Sequence, residues 1–157
     1  AIQHGKRENW ERMIDTNVKG LLYVSEQIIP GMIARKNGHI INVSSTAGKE
    51  AYAGGNVYCA TKFAVEALTE GMRIDLLQHN IRVGRVSPGM VETEFSVVRF
   101  DGDKNAADAT YAGLEPLHPE DVADAIYYMA SRPAHVCIND LVILPSAQAN
   151  STTVFRK

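Results

Sequence analysis

Over residues 8–35 the apolar positions Trp10, Met13, Ile14, Val18, Leu21, Leu22, Val24, Ile28, Ile29, Met32 and Ile33 recur at spacings of three and four. That period places them on one face, so the segment is predicted as an amphipathic helix of several turns, bent near Pro30-Gly31. Asn37-Gly38 supplies a stop. The run His39-Ile40-Ile41-Asn42-Val43-Ser44-Ser45 then reads as a short buried strand of a parallel sheet. A second helix is predicted from an N-cap at Asn56 to about His79, with Val57, Ala60, Ala64, Leu68, Met72 and Leu76 on one face and Asn80 closing it. Residues 81–87 read as a second strand, ended by Pro88-Gly89, because proline lacks an N–H and glycine tolerates positive φ.

Periodicity fades over residues 93–117, which carry Asp101-Gly102-Asp103-Lys104-Asn105. A mobile excursion with at most short helices, placed to serve as a lid, is expected there. Pro119, with Glu120 and Asp121 beside it, opens a third helix that turns Val122, Ile126, Met129 and Ala130 inward and stops before Pro133. A third strand is predicted over residues 136–144, and residues 146–157 are expected as a polar tail. Helix and strand thus alternate three times, the order of a parallel α/β sheet with right-handed crossovers, in a single domain over residues 1–157.

Composition narrows the function classes. With 45% hydrophobic and 22% charged residues among 157, the chain can bury a core, and disorder or low complexity is excluded. Sixteen Lys+Arg against eighteen Asp+Glu leave a net charge of −2, so no basic field draws in nucleic acid. Cys59 and Cys137 form neither a metal pair nor a disulfide framework, which makes the cytoplasm the expected compartment. No apolar run approaches the ~20 residues of a membrane helix, and no membrane partner is expected. His4, His39, His79, His118 and His135 show no ligand spacing, so no metal is expected. The chain starts without Met and with a helix already under way, and is expected to be a fragment.

Tyr58 and Lys62 are four residues apart, hence on one helical face. A lysine ammonium near a phenol stabilises the phenolate and lowers a pKa that is ordinarily ~10, turning tyrosine into a usable acid-base group. The same spacing also suits an ordinary surface pair, so the surrounding residues must decide. Ser45 falls at the end of the first strand, where open α/β sheets gather ligands, and its hydroxyl can polarise a carbonyl oxygen or simply cap a turn. Asn17 lies inside the first helix, where asparagine is a mediocre helix former. The stretch Ser87-Pro88-Gly89-Met90-Val91-Glu92-Thr93 follows the second strand as a turn.

Taken together, Trp10-x6-Asn17-Val18-Lys19-Gly20, Asn42-Val43-Ser44-Ser45-x2-Gly48, Tyr58-x-x-x-Lys62 and Pro88-Gly89-x-x-x-Thr93 resemble the short-chain dehydrogenase/reductase family. Nearly the whole chain matches that family's second half in order. The resemblance implies the C-terminal part of a Rossmann-type, doubly wound parallel sheet, with the N-terminal dinucleotide-binding half missing. It implies Tyr58 as general acid/base, Lys62 as the group that lowers its pKa and holds the nicotinamide ribose, and Ser45 as the residue orienting the substrate carbonyl. Asn17 would keep a water in the proton relay to Lys62, and Pro88, Gly89, Val91 and Thr93 would contact the carboxamide end of the cofactor.

Further likeness, in Ala53-Gly54-Gly55-Asn56-Val57-Tyr58 and the Thr93 to Asp103 stretch, points to NADP-dependent 3-hydroxy acid dehydrogenases acting on serine and allo-threonine. NADP is therefore the expected cofactor, with NAD as the alternative, and a small hydroxy acid the expected substrate, its carboxylate meeting Arg99. A homo-oligomer is expected. The family's Gly-rich strand-to-helix turn does not occur in these residues, and roughly 90 residues, one βαβαβ half, would be needed to supply it. An inactive oligomerisation module of the same fold is the competing reading.

Overall fold

The computed structural model describes residues 1–100 and 102–157; Asp101, part of the expected excursion, lies outside the described residues. Three strands, β1 (Gly38–Val43), β2 (Ile81–Pro88) and β3 (Asp140–Ile143), run parallel in the order β1-β2-β3. Ile40 is paired with Val83 and Val86 with Leu141. Helices α1 (Arg7–Ile14) and α2 (Gly20–Ala34) precede β1, α3 (Asn56–Leu76) joins β1 to β2, and α6 (Pro119–Ala130) leads to β3.

Period-two alternation along the strands assigns the two faces. Ile40, Ile81 and Val83 are buried against Leu76 and Met72 of α3 and against Ile29, Met32 and Ile33 of α2. On the opposite face, Met129 of α6 is fully buried and reaches Gly84. The expected inward set of α6 is corrected at one position: Ala130 is exposed, because it falls off the stripe defined by Val122, Ile126 and Met129.

The first helix is not one uniform helix. A π-helical turn at Asp15–Lys19 separates α1 from α2, and α2 continues through Pro30 to Ala34. Such wide turns interrupt helices where a side chain must be re-aimed, and this one contains Asn17. Gly55 takes the N-cap position expected of Asn56, which is instead the first residue of α3. Asn80 does close that helix, in the left-handed conformation at φ 59°. The excursion contains two short helices, α4 (Glu94–Arg99) and α5 (Lys104–Tyr111), each capped by a side chain, Thr93 and Asp103.

Two expectations about the C-terminal part are refined. The third strand begins only at Asp140. The preceding segment is held off the ladder by Arg82, whose guanidinium donates to the carbonyl oxygens of Arg132, Pro133 and Val136. The carbonyl of Ile138 lies so close over Gly84 that no Cβ fits beneath it. The polar tail expected over residues 146–157 folds back onto the chain. Gln148 is buried and its Oε1 accepts from the Met90 N–H at 2.9 Å, Ser151 N–H donates to Glu50, and Arg156 donates to the carbonyls of Ala112 and Thr110. Among the described residues no helix is long and apolar enough to cross a membrane.

Candidate active site

Parallel strands end side by side, and the segments leaving β1 and β2 face each other there. The ladder continues one step past β1, with Ser44 N–H donating to Val86 O at 2.8 Å. Ser45 follows in extended conformation and caps the 3₁₀ turn Thr46–Gly48, its Oγ accepting from Ala47 N–H at 3.1 Å and donating toward Pro88 O at 3.5 Å. One hydroxyl thus does the local capping work and still stands at the strand ends.

Helix α3 brings Tyr58 and Lys62 to the same place on successive turns. The Lys62 Nζ sits 5.8 Å from the Tyr58 ring centroid and donates to Val43 O at 3.1 Å, which leaves two of its three N–H donors free. Phe95 of α4 packs against the Tyr58 ring at 5.4 Å between centroids. Burial pushes the Tyr58 phenol up to about 12; the Ser45 hydrogen bond and the Arg99 charge pull it down, while Tyr52 and Cys59 push it up. The depressed phenol expected beside Lys62 is therefore not what this geometry gives. Burial lowers the pKa of Lys62 itself, since a desolvated ammonium loses stabilisation.

Asn17 approaches from the π turn. Its Nδ2 donates to Thr61 Oγ1 at 3.0 Å, and Thr61 Oγ1 in turn donates to the Tyr58 carbonyl at 2.7 Å. Asn17, Ser45, Tyr58, Lys62, Pro88, Gly89, Val91, Thr93 and Arg99 all line one cleft of about 650 Å³. Thr93 Oγ1 accepts from Phe95 N–H at 3.2 Å as the cap of α4, so its own O–H is left to donate. Val91 O accepts from the Tyr111 hydroxyl at 2.8 Å, which fixes the backbone of that wall.

Several residues of the cleft had no signal in the sequence. Tyr52 stacks under Arg99, 5.7 Å from guanidinium to ring centroid, in space opened by Gly55. Gln148 and Thr152 reach the cleft only because the C-terminal segment folds back. Behind the strand ends, Glu66 accepts from Ser44 and pairs with Lys49 and with Arg85 Nε at 2.6 Å. Asp140 pairs with Lys49 and with Arg85 Nη2 at 3.2 Å, and accepts from Ser87 at 3.2 Å. This four-charge cluster ties together the residues directly before Ser45 and Pro88. Among the described residues no three His, Cys, Asp or Glu side chains stand together as a metal site.

A family model described as short chain dehydrogenase matches residues 1–104. The chain belongs to the short-chain dehydrogenase family. The chain is 50% identical over 143 residues to the NADP-dependent 3-hydroxy acid dehydrogenase YdfG of Shigella flexneri, covering 90% of this chain and 58% of the relative. It is 45% identical over 145 residues to the NADP-dependent 3-hydroxy acid dehydrogenase of Schizosaccharomyces pombe, covering 92% and 56%. Among solved structures, the closed form of a serine dehydrogenase complexed with NADP+ superposes with a TM-score of 0.94 at 45% identity, over 99% of this chain and 63% of that one. The three-stranded parallel sheet and its helices are thus part of a Rossmann-type α/β fold, and the chain spans less than two thirds of the length of these relatives.

Proposed function

We propose that this short-chain dehydrogenase is an oxidoreductase moving a hydride between NADP(H) and a small 3-hydroxy acid or its carbonyl counterpart, with serine and allo-threonine among its substrates. One observation carries this above the rest: Ser45, Tyr58 and Lys62 line a single cleft at the C-terminal ends of parallel strands. The names of the relatives, NADP-dependent 3-hydroxy acid dehydrogenases and a serine dehydrogenase, support the cofactor and the substrate class.

The donors in the cleft fit the nicotinamide end of such a cofactor. Lys62 has two free N–H donors for the ribose hydroxyls, and Thr93 has a free O–H beside the backbone of Pro88, Gly89 and Val91. When bound, the nicotinamide supplies or accepts the hydride. In reduction Tyr58 gives its phenolic proton to the carbonyl oxygen, and in oxidation its phenolate takes the hydroxyl proton. Ser45 donates to the same substrate oxygen. A phenol pushed up to about 12 is fully protonated at neutral pH and ready to act as the acid. Oxidation needs the phenolate, and the charge that favours it is that of Arg99. Positioned proton transfer of this kind contributes roughly 10² to 10⁴ in rate.

Arg99 lines the cleft on the substrate side and holds the substrate carboxylate, with Tyr52 keeping the guanidinium in place through its ring and its hydroxyl at 3.5 Å. Asn17 acts through Thr61 and the Tyr58 backbone to set the position of α3. Exposed apolar side chains along α2 and α3, among them Tyr23, Val24 and Phe63, support assembly as a homo-oligomer.

The test is Tyr58→Phe in a chimaera that carries the first part of a 3-hydroxy acid dehydrogenase relative ahead of Ala1. The ring stays and only the proton donor goes, so NADPH affinity is expected to hold while turnover of 3-hydroxybutanoate disappears. A variant that keeps a tenth of the parent turnover would remove Tyr58 from this role.

A further inference from the structure

Along the cleft wall from Gly89 to Glu92 each successive peptide plane is fastened by a neighbour. The Met90 N–H donates to Gln148 Oε1 at 2.9 Å, which holds the plane between Gly89 and Met90. Met90 O accepts from the Leu117 N–H at 2.9 Å, which holds the next plane, and Glu92 N–H donates to Leu117 O at 2.8 Å beyond it. The Val91 N–H lies between these bonds and has no partner among the described residues. In a trans peptide the N–H points opposite to the carbonyl of its own plane, so this donor is turned away from Leu117. Met90, Val91 and Gln148 all line the cleft.

Gln148 is buried at 6% exposure, and both ends of its amide are engaged: Oε1 takes the Met90 N–H and Nε2 donates to Asn150 O at 3.0 Å. A burial that would be costly for an unpaired amide is thereby offset. One partner is an N–H and the other a carbonyl, so together they determine which way the amide faces. A Cβ at position 89 would collide with Gln148 Oε1, and glycine there leaves room for it.

We propose that Gln148 is a positioning residue for the nicotinamide: by holding the Met90 N–H it sets the wall so that the unpartnered Val91 N–H is presented to the oxygen of the nicotinamide carboxamide. The proposal rests on the NADP reading of the cleft. Gln148 itself makes no bond to the cofactor, because both ends of its amide are taken. Its effect is preorganisation, since a donor already fixed in direction loses less freedom when it binds. Leu117 holds the same wall through backbone alone, so Gln148 is the side chain whose replacement releases the Met90 N–H.

The test is binding, followed by amide NMR on the full chain with two probes: nicotinamide mononucleotide, and the pyridine mononucleotide that differs only in lacking the carboxamide. The parent is expected to prefer the first by about tenfold, the worth of one good hydrogen bond, and its Val91 amide proton to move downfield with that probe alone. Gln148→Met removes the acceptor and Gln148→Asn is too short to reach Met90. Each should reduce the preference to about threefold or less while leaving affinity for the pyridine probe within about twofold. Gln148→Glu keeps an oxygen acceptor at the same reach but gives up the bond to Asn150 O, and should retain the preference. A purely structural role would weaken both probes together and leave their ratio alone. A ratio unchanged in both Met and Asn variants, a Glu variant as impaired as Met, or a parent that discriminates with its Val91 resonance unmoved would each overturn the proposal. A parent that does not distinguish the two probes would overturn the cofactor reading beneath it instead.

Discussion

The side-chain amide of Asn17 donates to Thr61 Oγ1 at 3.0 Å, joining the π turn of the first helical segment to the helix that carries Tyr58 and Lys62. Thr61 is buried, and its hydroxyl passes the interaction on to the Tyr58 carbonyl at 2.7 Å. Asn17→Leu removes a donor from a buried oxygen, which is expected to cost about 1–2 kcal/mol, read as a lower urea midpoint. Thr61→Val should cost a similar amount. Because the two residues share one interaction, the double variant is expected to lose clearly less than the sum. Strict additivity would show that the contact carries no coupling.

Acid stability is predicted from the cluster behind the strand ends. Burial pushes the Asp140 carboxyl up, but the Lys49 hydrogen bond, the Arg85 and Lys49 charges and the Ser87 hydroxyl together hold it below the usual carboxylate range. A carboxyl depressed in the folded state stabilises the fold above its unfolded pKa of ~3.9, and that contribution is lost as pH falls through the lower folded value. Asp140→Asn should therefore be less stable than the parent at neutral pH and lose less on acidification. A parent and variant whose unfolding free energies stay parallel down to about pH 3 would dissociate Asp140 from acid unfolding.

Alkaline stability follows from Tyr58 with the opposite sign. Its folded phenol is pushed up to about 12, whereas an unfolded one releases its proton near ~10. The native state then holds the extra proton between those values, so stability is complete below about pH 10 and is lost as pH rises toward the folded value. At roughly one unit above the unfolded pKa the loss is about 1 kcal/mol. Tyr52, also pushed up by burial, contributes in the same direction. The measurement is therefore a comparison of urea unfolding for Tyr58→Phe and the parent at about pH 9 and about pH 11, with a shallower decline expected in the variant.

What the sequence made legible was whatever depends on neighbours in the chain. Spacing alone put Tyr58 and Lys62 on one helical face, the β-branched runs located β1 and β2, and the alternation of helix and strand implied their parallel sense. The π turn is not legible because widening a helix by one residue leaves apolar periodicity almost unchanged while re-aiming Asn17. The contribution of residues 147–157 escaped because it is made by distant partners: a buried Gln148 against Met90, and Arg156 against carbonyls at the end of α5. The phenol pKa is illegible in the sequence for a related reason. Helical spacing reports that an ammonium is near, but only packing shows that burial pushes the phenol up and that the ammonium is engaged by Val43 O.

The last prediction concerns residues 1–157 on their own, which are expected to bind NADPH weakly. The cleft presents donors for one end of the molecule: Lys62 toward the ribose, Thr93 and the backbone from Pro88 to Val91 toward the carboxamide. A pyrophosphate needs backbone N–H groups converging at a helix N-terminus behind a Gly-rich turn. The sequence has no G-x-G-x-x-G, and the nearest candidate, Ala53-Gly54-Gly55, is occupied by packing, since the Tyr52 ring lies against Gly55 and the Gly55 N–H already donates to the Tyr52 carbonyl at 3.1 Å. Nicotinamide mononucleotide, which lacks the adenylate half, should therefore bind this chain about as well as NADPH does. Calorimetric titration of both ligands checks this directly. Micromolar affinity for NADPH together with much weaker binding of the mononucleotide would mean that these residues do assemble a phosphate site.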